Sequence, residues 1–278
     1  MKLYHYTLAT NFGDELNPWL WSRLLPEVFN DDASSVFVGI GTLLNDRIPA
    51  AGKTAVFGSG VGYGELPCVD DSWKFYCVRG PLTADRLGIS HDYVVTDPGI
   101  LVSRFVERSA TPKYKYTFMP HGANANEAWK KICSNLGFGY IDAYDPVDKV
   151  LAEIGNTEVL ITEAMHGAIV ADAMRVPWIP VFTTHNMLEF KWKDWCATIG
   201  VELMVQHAAA VWSEQYANSL NKKFRHLIKT KVATKQLKDI SQKVAPTLSE
   251  NNRIPSLLER LDVCLEQFKT DVKLGMYD

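Results

Sequence analysis

The chain of 278 residues is 47% hydrophobic and 22% charged, with a net charge of −3, as in ordinary soluble globular proteins of one large or two medium domains. Its five cysteines, Cys68, Cys77, Cys133, Cys196 and Cys264, are odd in number, widely spaced and without a CxxC pair. That pattern argues against a disulfide framework or a structural zinc site and for a reducing, cytoplasmic setting. The stretch after Lys2 is too short and polar for a secretory leader, and no run approaches the ~18 apolar residues of a membrane span.

In chain order, "NFGDELNPWL" (Asn11–Leu20) reads as a glycine-containing turn entering a helix, which Asn11 or Asp14 can cap; with Gly13 it is also a candidate anion site. Four apolar runs follow as predicted strands: Ser35–Gly41, Thr54–Gly60, Lys74–Gly80 and Asp92–Gly99. The polar, proline-containing stretch Ser109–Lys115 is the expected interdomain linker. A second set of strands is predicted at Tyr114–His121, Gly139–Tyr144, Glu158–Ala164 and Trp178–Thr184. Near-continuous apolar strands alternating with helical patterns indicate parallel sheets covered on both faces, with ligands beyond the strands' carboxyl ends. After Val205, Trp212, Tyr216, Leu220, Phe224, Leu227 and Ile228 recur at helical spacing, and Ala245–Ser256 breaks this tail into two helices that run to about Lys273. The expected division is therefore an N-terminal α/β domain (1–110), a second α/β domain (111–205) and C-terminal helices (206–278).

Between Lys222 and Lys243 stand eight basic residues and one acid, beside an otherwise acidic body. This predicts a local anionic partner, such as a membrane surface touched by Phe224, Leu227, Ile228 and Val232, rather than nucleic acid. The other reading is a solvated charged face whose apolar side packs on the body.

In "VRGPLTAD", a strand delivers Arg79, Gly80 permits close backbone approach, Pro81 takes the first helical position, and the N–H groups up to Thr83 face the same point. Such a place suits a phosphate or carboxylate; alternatively Arg79 is structural, paired with Asp85 or Asp97. Asp97, in "TDPG", is a candidate carboxylate that equally can close its own turn. "MPH" puts His121 at a strand end, and "EFKWKDW" interleaves aromatics with lysines around Lys191, as a sugar-stacking strip or as a helix start. His166 and Gly167 stand where an apolar strand gives way to a helix expected from Ala168, the histidine being either a core residue or a proton-transfer group. No dinucleotide fingerprint, GxxxxGK[ST], HExxH or GxSxG occurs, and no spacing suggests a metal site.

Taken together, "NFGDEL", "GSGVG", "VRGPLTAD", "DPGIL", "MPH", "EAMHGAIVADAMRVP" and "FKWKDW" resemble, in order and over roughly residues 8–195, the polysaccharide pyruvyl transferase family, notably the ketal pyruvyl transferases of bacterial exopolysaccharide pathways of the xanthan type. The resemblance implies two Rossmann-like domains in a GT-B-like arrangement. It also implies phosphoenolpyruvate as donor, no further cofactor, and a sugar or lipid-linked oligosaccharide as acceptor of a cyclic pyruvate ketal. His166 falls on the family's histidine at the head of the second-domain helix and Arg79 on its arginine after the first-domain strand. Many relatives carry an arginine beside that histidine or two residues before it, where this chain has Ala164 and Met165. Part of the donor's anion binding is then expected from Arg79, His121 or Lys191. The competing readings are a GT-B glycosyltransferase using a nucleotide sugar and a non-catalytic glycan-binding relative.

Overall fold

A computed structural model describes residues 1–8, 11–185, 187–213, 215 and 219–277; Tyr216, of the tail's helical repeat, lies outside them. In chain order the elements are β1 (Lys2–Tyr4), α1 (Phe12–Leu24), β2 (Ser35–Val38), β3 (Lys53–Phe57), β4 (Trp73–Cys77), α2 (Pro81–Leu87), β5 (Tyr114–Met119), α3 (Glu127–Leu136), β6 (Gly139–Tyr140), α4 (Val147–Gly155), β7 (Thr157–Thr162), α5 (Met165–Ala173), β8 (Trp178–Phe182), α6 (Glu189–Ile199), β9 (Gln206–His207), α7 (Leu220–Lys243) and α8 (Arg253–Lys273). Every paired strand is parallel.

The chain forms two compact units that are not consecutive in sequence: Met1–Val102 with Leu188–Glu202 and Ser249–Asp278, and Ser103–Met187 with Leu203–Leu248. The helices of the 206–278 segment thus separate, α7 into the second unit and α8 into the first. The crossing between Val102 and Ser103 precedes the proline-containing stretch, which the second unit ties down through Ser109 N–H to Gly155 O and Lys113 N–H to Asn156 O.

In the first unit the sheet runs β1-β2-β3-β4. The order never reverses, and no helix lies between β2 and β3 or between β3 and β4, so this sheet is not doubly wound in the Rossmann manner. Its faces are nonetheless covered, because alternate residues of a strand point to opposite sides. Val36, Val38 and Val56 pack with Leu44, Val61 and Ala84, and Phe190 of α6 rests against them. Phe37 and Phe57 face the other way, onto Trp21 of α1 (ring centroids 4.9 and 5.2 Å), and Phe37 meets Phe268 of α8 at 5.0 Å. Later segments supply the cover that crossover helices would have given. Tyr76 hydrogen bonds Asp271, whose carboxylate also takes Lys74 at 2.6 Å, fixing the end of α8 to β4.

The second unit is a five-stranded sheet, β6-β5-β7-β8-β9. The connection from β5 leads to β6 on one side, while β7 pairs on the other, so the direction of winding reverses between β5 and β7. Phe118, Ile161, Ile179 and Val181 meet Trp129, Ile132 and Cys133 of α3, with Ala233, Leu237 and Ile240 of α7 completing that layer.

Two expectations are corrected. Asp92–Gly99 is not a strand: Val94 makes one bridge to Val78 between short 3-10 turns at His91–Tyr93 and Pro98–Arg104. Asp97 closes the second turn by accepting the Gly99 N–H at 2.9 Å, and Pro98 has no N–H to pair. The region after Val205 is not purely helical, since Gln206 and His207 pair with Val181 and Phe182 as an edge strand.

Phe268→Ala should cost about 3–5 kcal/mol by opening a cavity against Phe37 and Tyr76. A lower urea midpoint for the first unit's unfolding checks this, and an unchanged midpoint would mean that α8 is dispensable cover.

Candidate functional site

In an open α/β sheet the carboxyl ends of the strands at the point of reversal face a crevice where backbone groups have no strand partner, and ligands settle there. In the second unit that point is the β5/β7 pair, where Met119 lies opposite Thr162. His121 follows β5 by two residues; Glu163 and His166 follow β7.

Glu163 is completely buried and organises this end of the sheet. Its carboxylate accepts the His121 N–H at 3.1 Å, the Asn124 side-chain amide at 3.2–3.3 Å and the Thr183 N–H at 2.6 Å, binding the loops after β5 and β8 to the end of β7. Charge-assisted hydrogen bonds of this kind are the strong ones, and they offset the desolvation of the carboxylate. Sequence reasoning passed over Glu163, although an acid directly after an apolar strand was the available signal.

Helix α5 starts at Met165, not Ala168, so His166 lies within the first turn and is half-buried. Ala164, at its N-cap, provides no side-chain hydrogen bond to the first turn. Thr162 holds the approach, accepting the Ala164 N–H at 2.9 Å and donating to Met119 O at 3.1 Å. Gly167 is needed for packing: a Cβ there would stand 2.7 Å from Met119 Sδ and 3.0 Å from Thr162 Oγ1. The close approach is to the protein's own strand ends. His121 caps a 3-10 turn, accepting the Ala123 N–H at Nδ1.

The first unit gathers Arg79, Gly80 and Thr83, as expected, and fills the place with its own anion. Arg79 is fully buried, and its Nε donates to Asp194 at 3.0 Å. Its other nitrogens reach Thr42 Oγ1 at 2.8 Å and Val61 O at 3.0 Å. Asp194 also accepts the Thr83 N–H at 3.0 Å and the Thr83 hydroxyl at 2.6 Å, and a Cβ on Gly80 would collide with it. The partner of Arg79 is therefore neither Asp85 nor Asp97. Asp85 instead pairs with His91 at 2.8 Å. The chemistry read from "VRGPLTAD" was that of an anion site, and a carboxylate 115 residues downstream occupies it.

At α1, Asn11 is the N-cap and accepts the Gly13 N–H at 3.0 Å, while Asp14 returns a bond to the Asn11 N–H at 3.2 Å. This capping box engages Asn11, Gly13 and Asp14 in starting the helix. Asp97 is buried in its turn. "EFKWKDW" is a helix, and Trp192 and Trp195 are wholly buried, so the sugar-stacking strip is withdrawn. Lys191 lies one helical turn before Asp194, with its ammonium 3.1 Å from the Tyr63 hydroxyl. Burial pushes the Cys133 thiol up to about 12 and the Cys77 thiol well above its ordinary value, so neither is a nucleophile near neutral pH. Among the described residues no group of three or more His, Cys, Asp or Glu side chains is arranged to hold a metal ion.

The family model for polysaccharide pyruvyl transferase matches residues 4–186, which include the β5/β7 site and Arg79 but not Asp194. The chain is also 42% identical over 207 residues to the succinoglycan biosynthesis protein ExoV of Rhizobium meliloti (strain 1021). That alignment covers 72% of this chain and 66% of the relative's length.

Two variants check these assignments. Asp194→Asn leaves the buried Arg79 without its counter-charge and should cost about 3–5 kcal/mol in urea unfolding; an unchanged midpoint would release Arg79 from a structural task. Glu163→Gln turns an amide toward N–H donors, so the second unit should open more easily. Faster amide exchange at His121 and Thr183 is the expected result, and unchanged exchange would show that the carboxylate does not tie the loops.

Proposed function

The chain belongs to the polysaccharide pyruvyl transferase family, and on that premise we propose that it transfers pyruvate from phosphoenolpyruvate to a sugar of an exopolysaccharide precursor, forming a cyclic ketal and releasing phosphate. The acceptor in this reading is carried on a lipid at the inner face of the cell membrane, which makes the protein a peripheral enzyme of the cytoplasmic side. A GT-B-like pairing of the two units is part of the same proposal. The relative's name, a succinoglycan biosynthesis protein, supports the exopolysaccharide setting.

The observation that carries the reading is the position of His166, in the first turn of α5 beyond the β5/β7 reversal. Ketal formation adds a proton to C3 of the enol phosphate, which makes C2 electrophilic. One sugar hydroxyl adds to C2, phosphate leaves with its electron pair, and the second hydroxyl closes the ring. Two hydroxyl protons are lost, one balanced at C3 and one on phosphate. An imidazole can give and take protons near neutral pH, so His166 serves as acid toward C3 or as base toward a hydroxyl. The donor's charges need cations and N–H groups. With Arg79 committed to Asp194, we assign them to His121 and the start of α5. The reaction so written requires no metal, because fixed dipoles and side-chain cations can hold the developing charge.

The test is phosphate release from phosphoenolpyruvate over a panel of glycosides and lipid-linked oligosaccharides. His166→Ala should lose ~10²–10⁴-fold in rate with unchanged circular dichroism and melting. Retention of more than about a tenth of the activity would make His166 structural, and calorimetric binding of a nucleotide sugar without phosphoenolpyruvate would replace the proposed reaction with glycosyl transfer.

A further inference from the structure

Helix α7 has two apolar faces. Ala233, Leu237 and Ile240 are buried against α3 and form the packed one. Phe224, Leu227, Ile228 and Val232 are 64%, 51%, 44% and 43% exposed. At ~3.6 residues per turn, Phe224 and Ile228 lie about half a turn round from Ala233 and Leu237. The side packed on the unit is therefore not the stripe that the sequence marks out, and among the described residues nothing buries that stripe. A contiguous apolar face turned to solvent points to a binding surface.

Charge selects the occupant. Lys222, Lys223, Arg225, Lys231 and Lys235 are exposed on the same helix, Lys231 and Lys235 in line with the stripe one and two turns beyond Leu227 and Ile228, whereas Lys229 turns back over the Trp212 ring at 5.2 Å. Asp239, the one acid of the helix, is taken up by Lys235 and Lys243 at 2.8 and 3.0 Å. A second copy of this chain would bring the same cations face to face, which opposes self-association through this surface. A surface that is apolar at the level of the acyl chains and anionic above them matches both features. No helix among the described residues is long and apolar enough to cross a membrane, so contact at the interface is the mode available to α7.

We propose that the exposed face of α7 docks on an anionic lipid bilayer, with Phe224, Leu227 and Ile228 entering the headgroup boundary and the flanking lysines meeting lipid phosphates. The inference draws its purpose from the lipid-carried acceptor, but it stands on exposure and charge alone.

Co-sedimentation of the full chain with phosphatidylcholine vesicles, with and without phosphatidylglycerol, tests it. Binding is expected to the mixed vesicles at low salt, weakening as salt rises. Phe224→Ser with Leu227→Ser and Ile228→Ser should lower binding about tenfold or more, since each substitution removes most of a side chain's apolar area from the interface. Lys222→Glu with Lys223→Glu and Lys231→Glu should abolish preference for the anionic lipid. All six positions are exposed, so circular dichroism should not change. Absence of binding, binding that the apolar variant keeps, or dimerisation through the stripe in place of vesicle binding would each overturn the proposal. Phosphate release with a soluble glycoside, measured without vesicles, reports on the pyruvyl transfer separately.

Discussion

A parallel strand buried on both faces has no room for a charged side chain in its buried stretch, so ionisable groups can be carried only where the strand stops. Both sheets obey this constraint. The buried polar residues within the inner strands β2, β3, β5 and β7 are small hydroxyls, Ser35, Thr54, Thr117, Thr157 and Thr162, while the buried charges Glu163 and Arg79 sit just past their strands. Placing charge at such a spot leaves a carboxylate or guanidinium out of water, and it persists only when donors or acceptors surround it. The two ends solve the problem in similar ways. At each, one buried carboxylate collects N–H groups from segments that are remote in sequence, Glu163 from the loops after β5 and β8, Asp194 from Arg79 and the start of α2.

That likeness has opposite consequences for ligand binding. Asp194 lies in the space an incoming anion would need, and it satisfies the first turn of α2 directly through Thr83. Glu163 lies beneath its loops and leaves the start of α5 without a side-chain cap. In the proposed reading the chemistry therefore belongs to the strand ends of the second unit, with His166 and His121 beside them, while in the first unit the corresponding residues are drawn into the protein's own scaffold.

The strands of four or more residues were legible because a parallel sheet reads as unbroken apolar runs. β1 and β9 were not, since two or three residues do not establish a period, and β6, equally short, was read only as the longer run Gly139–Tyr144. The pair Val94–Val95 looked like a strand, but β4 ends at Cys77 and leaves it little to pair with. The helical tail was visible in its spacing, although not its division between the units, because hydrophobicity tells which side of a helix is buried and not against what. For the site, glycine, proline and arginine in "VRGPLTAD" correctly indicated a place for an anion; that Asp194 fills it depends on a contact across 115 residues, which local chemistry cannot reveal. His166 stood out through its neighbours. Glu163, in the same stretch, was hidden by being an ordinary acid in a sequence with 32 of them.

The interleaving of the units bears on how the protein is made. Translation delivers β1 to β4 long before α8, so the aromatic face of Phe37 and Phe57 emerges covered by α1 alone. Phe268, and the Tyr277 carbonyl that accepts from the Ser35 hydroxyl, arrive after the whole second sheet has left the ribosome. The unit that begins the chain is therefore the last to be completed, and its unfinished apolar face waits in the cell as a natural client for chaperones.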